Sequence, residues 1–287
     1  MRLLSRLVGL LPARWLSGLG AALGWLAFSV LRVRRRVTLD NLHRALGLPP
    51  GECVEVAARV YRHLCTGALE LLRVHRMSRL QAEEVLGAEG AGRLRAHLAA
   101  GRGVLVLGAH LGQWDLLACA AARCGFTVNV VTRDIKATWL NRYWMEQRQA
   151  CGVRLLPASG SARAIVAALR RNEMVALVLD QHEPGGAIIP FFERPAATAT
   201  GLARLALGTK APVVPVFLLR EGAGFRLLVE EPVQLRPTGD RQRDVLDGTA
   251  RLAQVVEAQV RACPDQWLWL HRRWKVHPPA RPTELQS

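Results

Sequence analysis

Between Glu52 and Leu98 the apolar residues fall at helical spacing, with Val56, Val60, Leu64 and Leu71 among them and alanines between, which predicts two or three helices. From Arg102 the texture changes to short apolar runs: Val104–Leu107, Val128–Val131, Val153–Leu156, Val175–Leu179, Val213–Leu218 and Phe225–Val229. Runs without alternation are what strands covered on both faces look like. The segments between them carry a single apolar stripe, as Ala164, Ile165, Ala168 and Leu169 do. Strand and helix alternating over this length predict an α/β fold, a mixed, mostly parallel central sheet flanked by helices. Ligands of such sheets gather at the carboxyl ends of the strands.

The stretch Trp15–Leu31 carries no charge, with Arg2, Arg6 and Arg14 before it and Arg32, Arg34, Arg35 and Arg36 after it. A full membrane crossing takes about 20 apolar residues, and Gly18, Gly20, Gly24, Ser17 and Ser29 dilute this one. It therefore stands between a buried core helix and a membrane-associated one, either crossing or lying in the interface. Cleavage as a signal peptide is not expected, because Ala21 and Ala22 lie inside the apolar stretch and arginines follow it. Read as an anchor or interfacial helix, it sets its arginines among anionic headgroups. The arginine excess downstream then places the rest of the chain on the cytoplasmic side. The clear breaks are Leu48-Pro49-Pro50-Gly51 and a proline-bearing tail from Pro278. The expected organisation is a membrane-associated N-terminal helix over residues 1–36, one domain over 37–277 and a tail over 278–287.

Charge narrows the partner without naming it. The chain of 287 residues carries 39 Lys+Arg against 23 Asp+Glu, a formal +16, and its only lysines are Lys136, Lys210 and Lys275. Arginine forks suit phosphate and carboxylate, so an anionic partner is implied: nucleic acid, a phospholipid surface or an acidic carrier. The six cysteines stand singly, without a CxxC pair. Neither a metal site, a disulfide framework nor a cofactor is expected, and a reducing compartment fits.

One strand end carries candidate chemistry. Val104–Gly108 runs directly into Ala109-His110-Leu111-Gly112-Gln113-Trp114-Asp115 and then a helical segment. A histidine at the tip of a buried strand and a carboxylate at the opening of the next helix can meet across that turn, which makes His110 a general base and Asp115 its partner. Gly112 permits a tight turn beside them. At a second strand end Asp180 and Gln181 follow Val175–Leu179; on local grounds alone Asp180 is a helix or turn cap and Gln181 a loop hydrogen-bonder.

The ordered blocks go further. An arginine run, Arg34-Arg35-Arg36, precedes Asn41-Leu42. The histidine–carboxylate block is followed by Val130-Val-Thr-Arg133, by Arg148 in Met145-Glu-Gln-Arg, and by Asp180-Gln181. Pro190-Phe191-Phe192, Ala196-Ala197-Thr198, Ala211-Pro-Val-Val-Pro215 and Trp267-Leu-Trp-Leu-His-Arg-Arg-Trp274 complete the set. In this order the chain resembles the late, or secondary, lipid A biosynthesis acyltransferases of the lysophospholipid-acyltransferase superfamily, whose signature is HxxxxD or HxxxxE. Two departures stand out. Ala109 precedes His110 where the glycerolipid branch has asparagine, and Asp115 stands where many lipid A enzymes have glutamate.

The resemblance implies transfer of a fatty acyl group from acyl carrier protein to a hydroxyl of a lipid A precursor, at the cytoplasmic side of a bacterial inner membrane. His110 and Asp115 would be catalytic, and Arg133, Arg148, Asp180 and Gln181 would bind substrate. The oxyanion donors stay open between backbone N–H groups near Gly112 and an arginine. Nucleic acid is not an expected partner. Two rivals remain: an acyltransferase of the same fold acting on another glycolipid or aminolipid, and a non-enzymatic basic protein that binds membrane or nucleic acid.

Overall fold

A computed structural model describes residues 5, 8–9, 11–133 and 137–275; the expected tail, 278–287, lies outside them. Its main sheet has six strands: β1 (Val104–Gly108), β2 (Val128–Thr132), β3 (Arg154–Pro157), β4 (Met174–Val178), β7 (Val213–Glu221) and β8 (Gly224–Val229). Their spatial order is β3-β2-β4-β1-β7-β8. Every pairing is parallel except β7 with β8, so the mostly parallel sheet read from the runs is the one formed. The absence of alternation has its cause in the packing. Leu105 and Leu107 enter one core with Phe217 and Leu252, while Val104 and Val106 enter a second with Cys119 and Val128 on the opposite face.

Between these strands run the helices α6 (Trp114–Arg123), α7 (Thr138–Ala150), α8 (Ala162–Arg170) and α9 (Gly201–Thr209), and α10 (Arg241–Ala262) follows β8. Ahead of the sheet, the periodic stretch resolves into α3 (Pro50–Leu71), α4 (Arg79–Leu86) and α5 (Ala88–Leu98). A hairpin of β5 (Ala187–Phe191) and β6 (Arg194–Thr198) was not foreseen as strands. Pro190 and Pro195 face each other in it, a placement that only a ladder with open edges tolerates. Its turn puts Phe192 and Glu193 at φ +54° and +57°, as two-residue hairpin turns require. All six cysteines are free and four are buried.

The uncharged N-terminal stretch forms α1 (Ala13–Trp25), continued by a wider turn over Leu26–Val30, and α2 (Arg35–Leu46) leaves it at 92°. Among the described residues no single helix is long and apolar enough to cross a membrane. The glycines that dilute the stretch have a packing reason. A Cβ on Gly20 would lie 2.1 Å from Thr66 Oγ1, and one on Gly24 would lie 2.7 Å from the Arg62 backbone. Four residues apart on one helical face, they let α1 rest directly on α3. Phe28 reaches the main core, whereas Trp15, Leu19, Leu23 and Trp25 stay exposed on α1.

This contact is expected to discriminate sharply between neighbouring glycines. Gly20→Val should overpack the α1–α3 seam and lower stability by about 1–3 kcal/mol, whereas Gly18→Ala, which meets nothing within 4 Å, should be neutral or stabilising by up to about 1 kcal/mol. Denaturant midpoints of the two variants check this, and equal midpoints would contradict the seam.

Candidate functional site

The parallel register builds the site. Gly108 of β1 lies opposite Val178 of β4, and neighbouring strands run about 4.8 Å apart. His110 and Asp180 each stand two residues beyond that pair, so the sheet delivers both side chains to the same place. His110 Nδ1 is 2.9 Å from Asp180 Oδ1, and the backbone N–H of His110 donates to Oδ2 at 2.8 Å. The Trp267 indole N–H also donates to Oδ2, at 2.8 Å. Asp180 is 1 % exposed. Burial opposes its charge, yet the imidazole, the indole and the backbone N–H together hold the carboxyl down at about 2. Burial likewise opposes a charge on His110, but the Asp180 carboxylate outweighs it and raises the imidazole above its ordinary 6.5.

The expected hydrogen bond from Asp115 to His110 is not the one formed. Asp115 opens α6; its Oδ1 accepts from Arg148 Nε at 2.6 Å and pairs with a second guanidinium nitrogen at 2.6 Å, and its Oδ2 accepts from the Trp144 indole N–H at 2.8 Å. Both donors come from α7, whose Arg148 also reaches Thr132 Oγ1 at 3.2 Å. Chain distance misled here. The carboxylate five residues away points at the neighbouring helix, while the one 70 residues away is next door through the sheet. Asp115 still acts on His110 through space, favouring its charged form.

The remaining candidates divide. Gln181 Nε2 lies 3.2 Å from His110 Nε2. Arg148 is nearly buried and spent on Asp115, whereas Arg133 is 61 % exposed at the rim and pairs with Glu183 at 2.6 Å. Gly112 turns at φ +64°, and a Cβ there would stand 2.1 Å from the Leu218 carbonyl oxygen. Its N–H donates to Gln266 O and that of Gln113 to Leu218 O. These two N–H groups, open candidates for an oxyanion site, are thus already committed. Beneath them His63 Nε2 meets Gly112 O at 3.1 Å; burial pushes this histidine down to about 4, so it donates as the neutral imidazole.

The aromatic and cationic C-terminal segment, placed from the sequence only as the last of the ordered blocks, grips the site. Leu268 N–H donates to His110 O, Asn41 reaches the carbonyls of Trp269 and His271, and His182 N–H donates to His271 Nε2 at 3.0 Å. Burial holds His271 at about 4, which keeps that nitrogen an acceptor. Arg273, fully buried, donates to Ala197 O and Thr198 Oγ1 and lies over the Phe191 ring. The signal was present in the Trp267-Leu-Trp269 alternation, which turns both indoles inward. Among the described residues no group of three or more metal-ligating side chains converges.

The signs of these shifts make a stability profile. His63 and His271 are depressed in the folded state, so the unfolded chain binds protons first as pH falls below about 6.5. Stability is expected to fall between about pH 6.5 and 4, and to fall again between 3.8 and about 2 as Asp180 protonates. His110, raised, works in the opposite direction near neutrality. Thermal midpoints across that range check it, and in His63→Gln the upper fall should shrink.

Comparison with known proteins places the chain among bacterial acyltransferases. The chain is 29 % identical over 252 residues to a phosphatidylinositol mannoside acyltransferase of Mycobacterium tuberculosis (strain CDC 1551 / Oshkosh), covering 82 % of this chain and 75 % of the relative. It is 26 % identical over 280 residues to the lipid A biosynthesis palmitoleoyltransferase of Escherichia coli (strain K12), covering 93 % and 87 %. A lipid A biosynthesis lauroyltransferase of the same strain is 32 % identical over 127 residues, 42 % of this chain and 40 % of the relative. The family described as bacterial lipid A biosynthesis acyltransferase matches residues 3–276, His110, Asp180 and the Trp267–Trp274 segment among them, and the chain belongs to that family.

Proposed function

We propose that this acyltransferase moves a fatty acyl group from the thioester of acyl carrier protein to a hydroxyl of a lipid A precursor, with His110 as the general base. The observation that carries the reading is the His110–Asp180 pair. Asp180 accepts from Nδ1–H and fixes the tautomer, which leaves the Nε2 lone pair for a substrate proton. His110 remains 18 % exposed, so the ring is within reach of a ligand. As Nε2 takes the hydroxyl proton, the acceptor oxygen attacks the thioester carbon and a C–O bond forms. The tetrahedral intermediate collapses with cleavage of C–S, and the departing sulfur takes the proton back from Nε2.

Asp115 serves in this reading as a positioning carboxylate, holding Arg148 against α6 and adding negative charge near the imidazolium. Arg133 at the rim suits a phosphate of the acceptor or an acidic carrier through its fork geometry. A second reading, a mannoside-type glycolipid as acceptor, is favoured by the 29 % identity to the mycobacterial relative. A membrane location supports either acceptor. Trp15, Leu19, Leu23, Trp25, Val30 and Leu31 form an exposed apolar stretch that runs into the exposed Arg32, Arg34 and Arg36. With α1 sealed onto α3, that face suits lying in the cytoplasmic leaflet of the inner membrane, its arginines at anionic headgroups.

Transfer of labelled acyl chains from acyl carrier protein to a purified lipid A precursor, and in parallel to a phosphatidylinositol mannoside, tests the reaction. His110→Ala should lose about 10²–10⁴-fold in rate with its fold intact, since Trp267 still holds Asp180. Asp180→Asn should lose a comparable factor and move the acidic limb of the pH profile downward, because the charge that raises His110 is gone. Asp115→Asn should act chiefly on stability, by about 3–5 kcal/mol, through the buried charge left on Arg148. Full turnover by a folded His110→Ala would end the general-base reading, and product on the mannoside alone would move the acceptor.

A further inference from the structure

The loop after β4 sends two consecutive side chains to opposite sides of one imidazole. Asp180 takes Nδ1 and Gln181 stands on Nε2 at 3.2 Å. With Nδ1 protonated toward the carboxylate, Nε2 of the neutral ring is an acceptor only. The Gln181 side-chain amide therefore meets it with N–H donating. The other charged or titratable groups that face His110 are Asp115 on α6, Arg148 on α7 and His271 on the C-terminal segment, and the Trp114 ring covers an edge at 5.1 Å. Each of these acts through space, whereas Gln181 touches the lone pair that abstracts the proton.

We propose that Gln181 is a positioning residue for His110: its amide holds Nε2 as an unprotonated acceptor and occupies the place that the acceptor hydroxyl takes when substrate binds. This deepens the reading of His110 as general base and rests on it. The chemistry follows from opposed partners. A carboxylate on Nδ1 favours the imidazolium, which has no lone pair to offer. An amide N–H on Nε2 favours the neutral ring. The pair therefore keeps the base strong without leaving it protonated in the empty site. The exchange of Gln181 for a hydroxyl swaps one neutral donor for another on the same nitrogen. Pinning of His182 N–H by His271 fixes the loop from its far side, so Gln181 is presented from a braced backbone.

The test uses the full chain in detergent micelles, with Gln181→Met, which keeps the length and removes the donor, and Gln181→Glu, which replaces it by an acceptor. The His110 ring C–H resonance, identified by its loss in His110→Ala, is titrated by NMR without substrate. Gln181→Met should titrate about 0.5–1 pH unit higher than the parent, the size an ordinary neutral hydrogen bond supports. Gln181→Glu should titrate higher still. The acidic limb of kcat/KM should move by the same amounts, with kcat of Gln181→Met recovering to within about threefold once pH stands well above that limb. An unchanged or lower His110 titration in both variants would overturn the assignment. A raised titration without turnover on any glycolipid would uphold it and count against the acyl-transfer reading instead.

Discussion

A carboxylate taken almost wholly out of water has to be compensated on the spot, and the site is arranged around that requirement at Asp180. Desolvation of an isolated charge costs several kcal/mol or more. Here three donors meet it from two parts of the chain: the His110 ring, the His110 backbone and the Trp267 indole. Each partner fixes something else. The ring bond sets the tautomer, the backbone bond closes the end of β1 against the loop after β4, and the indole draws the C-terminal segment across the sheet. That segment in turn reaches α2 through Asn41 and the β5–β6 hairpin through Arg273. Chemistry and tertiary structure thus share one carboxylate.

The same economy appears at the N-terminus. A stretch diluted by glycine looks too weak to span a bilayer, and its glycines are what let α1 touch α3 without side chains between them. The apolar residues left outside face away from the body and run into a cluster of arginines. A helix sealed to the domain holds that apolar face in a fixed position relative to the sheet.

How much of this was legible in the sequence depended on the range of the interaction. Short apolar runs located all six strands of the main sheet, five of them within one residue at each end and β7 to within three, because an apolar run is a local property of composition. The hairpin escaped because Pro190 and Pro195 argue against strands, and only their facing placement in a two-stranded ribbon reconciles them. His110 was readable as a strand-end histidine. Its partner was assigned by chain proximity to Asp115, whereas register between β1 and β4 brings in Asp180. A pairing register is set by the whole sheet, and no single window contains it. Arg148 carried a signal as a family block, but its burial against Asp115 and Trp144 depends on how α7 packs on α6. Arg133 and Arg148 look alike in sequence and differ in the structure by whether a carboxylate is buried beside them.

The most direct measurement on the central pair is the tautomer of His110 in the substrate-free protein, read from the 15N shifts of its two ring nitrogens above its titration and compared with Asp180→Asn. The expected result is a protonated Nδ1 and a bare Nε2 in the parent protein, with that preference weakened in the variant. A proton on Nε2, or a tautomer indifferent to Asp180, would contradict the arrangement on which the base depends.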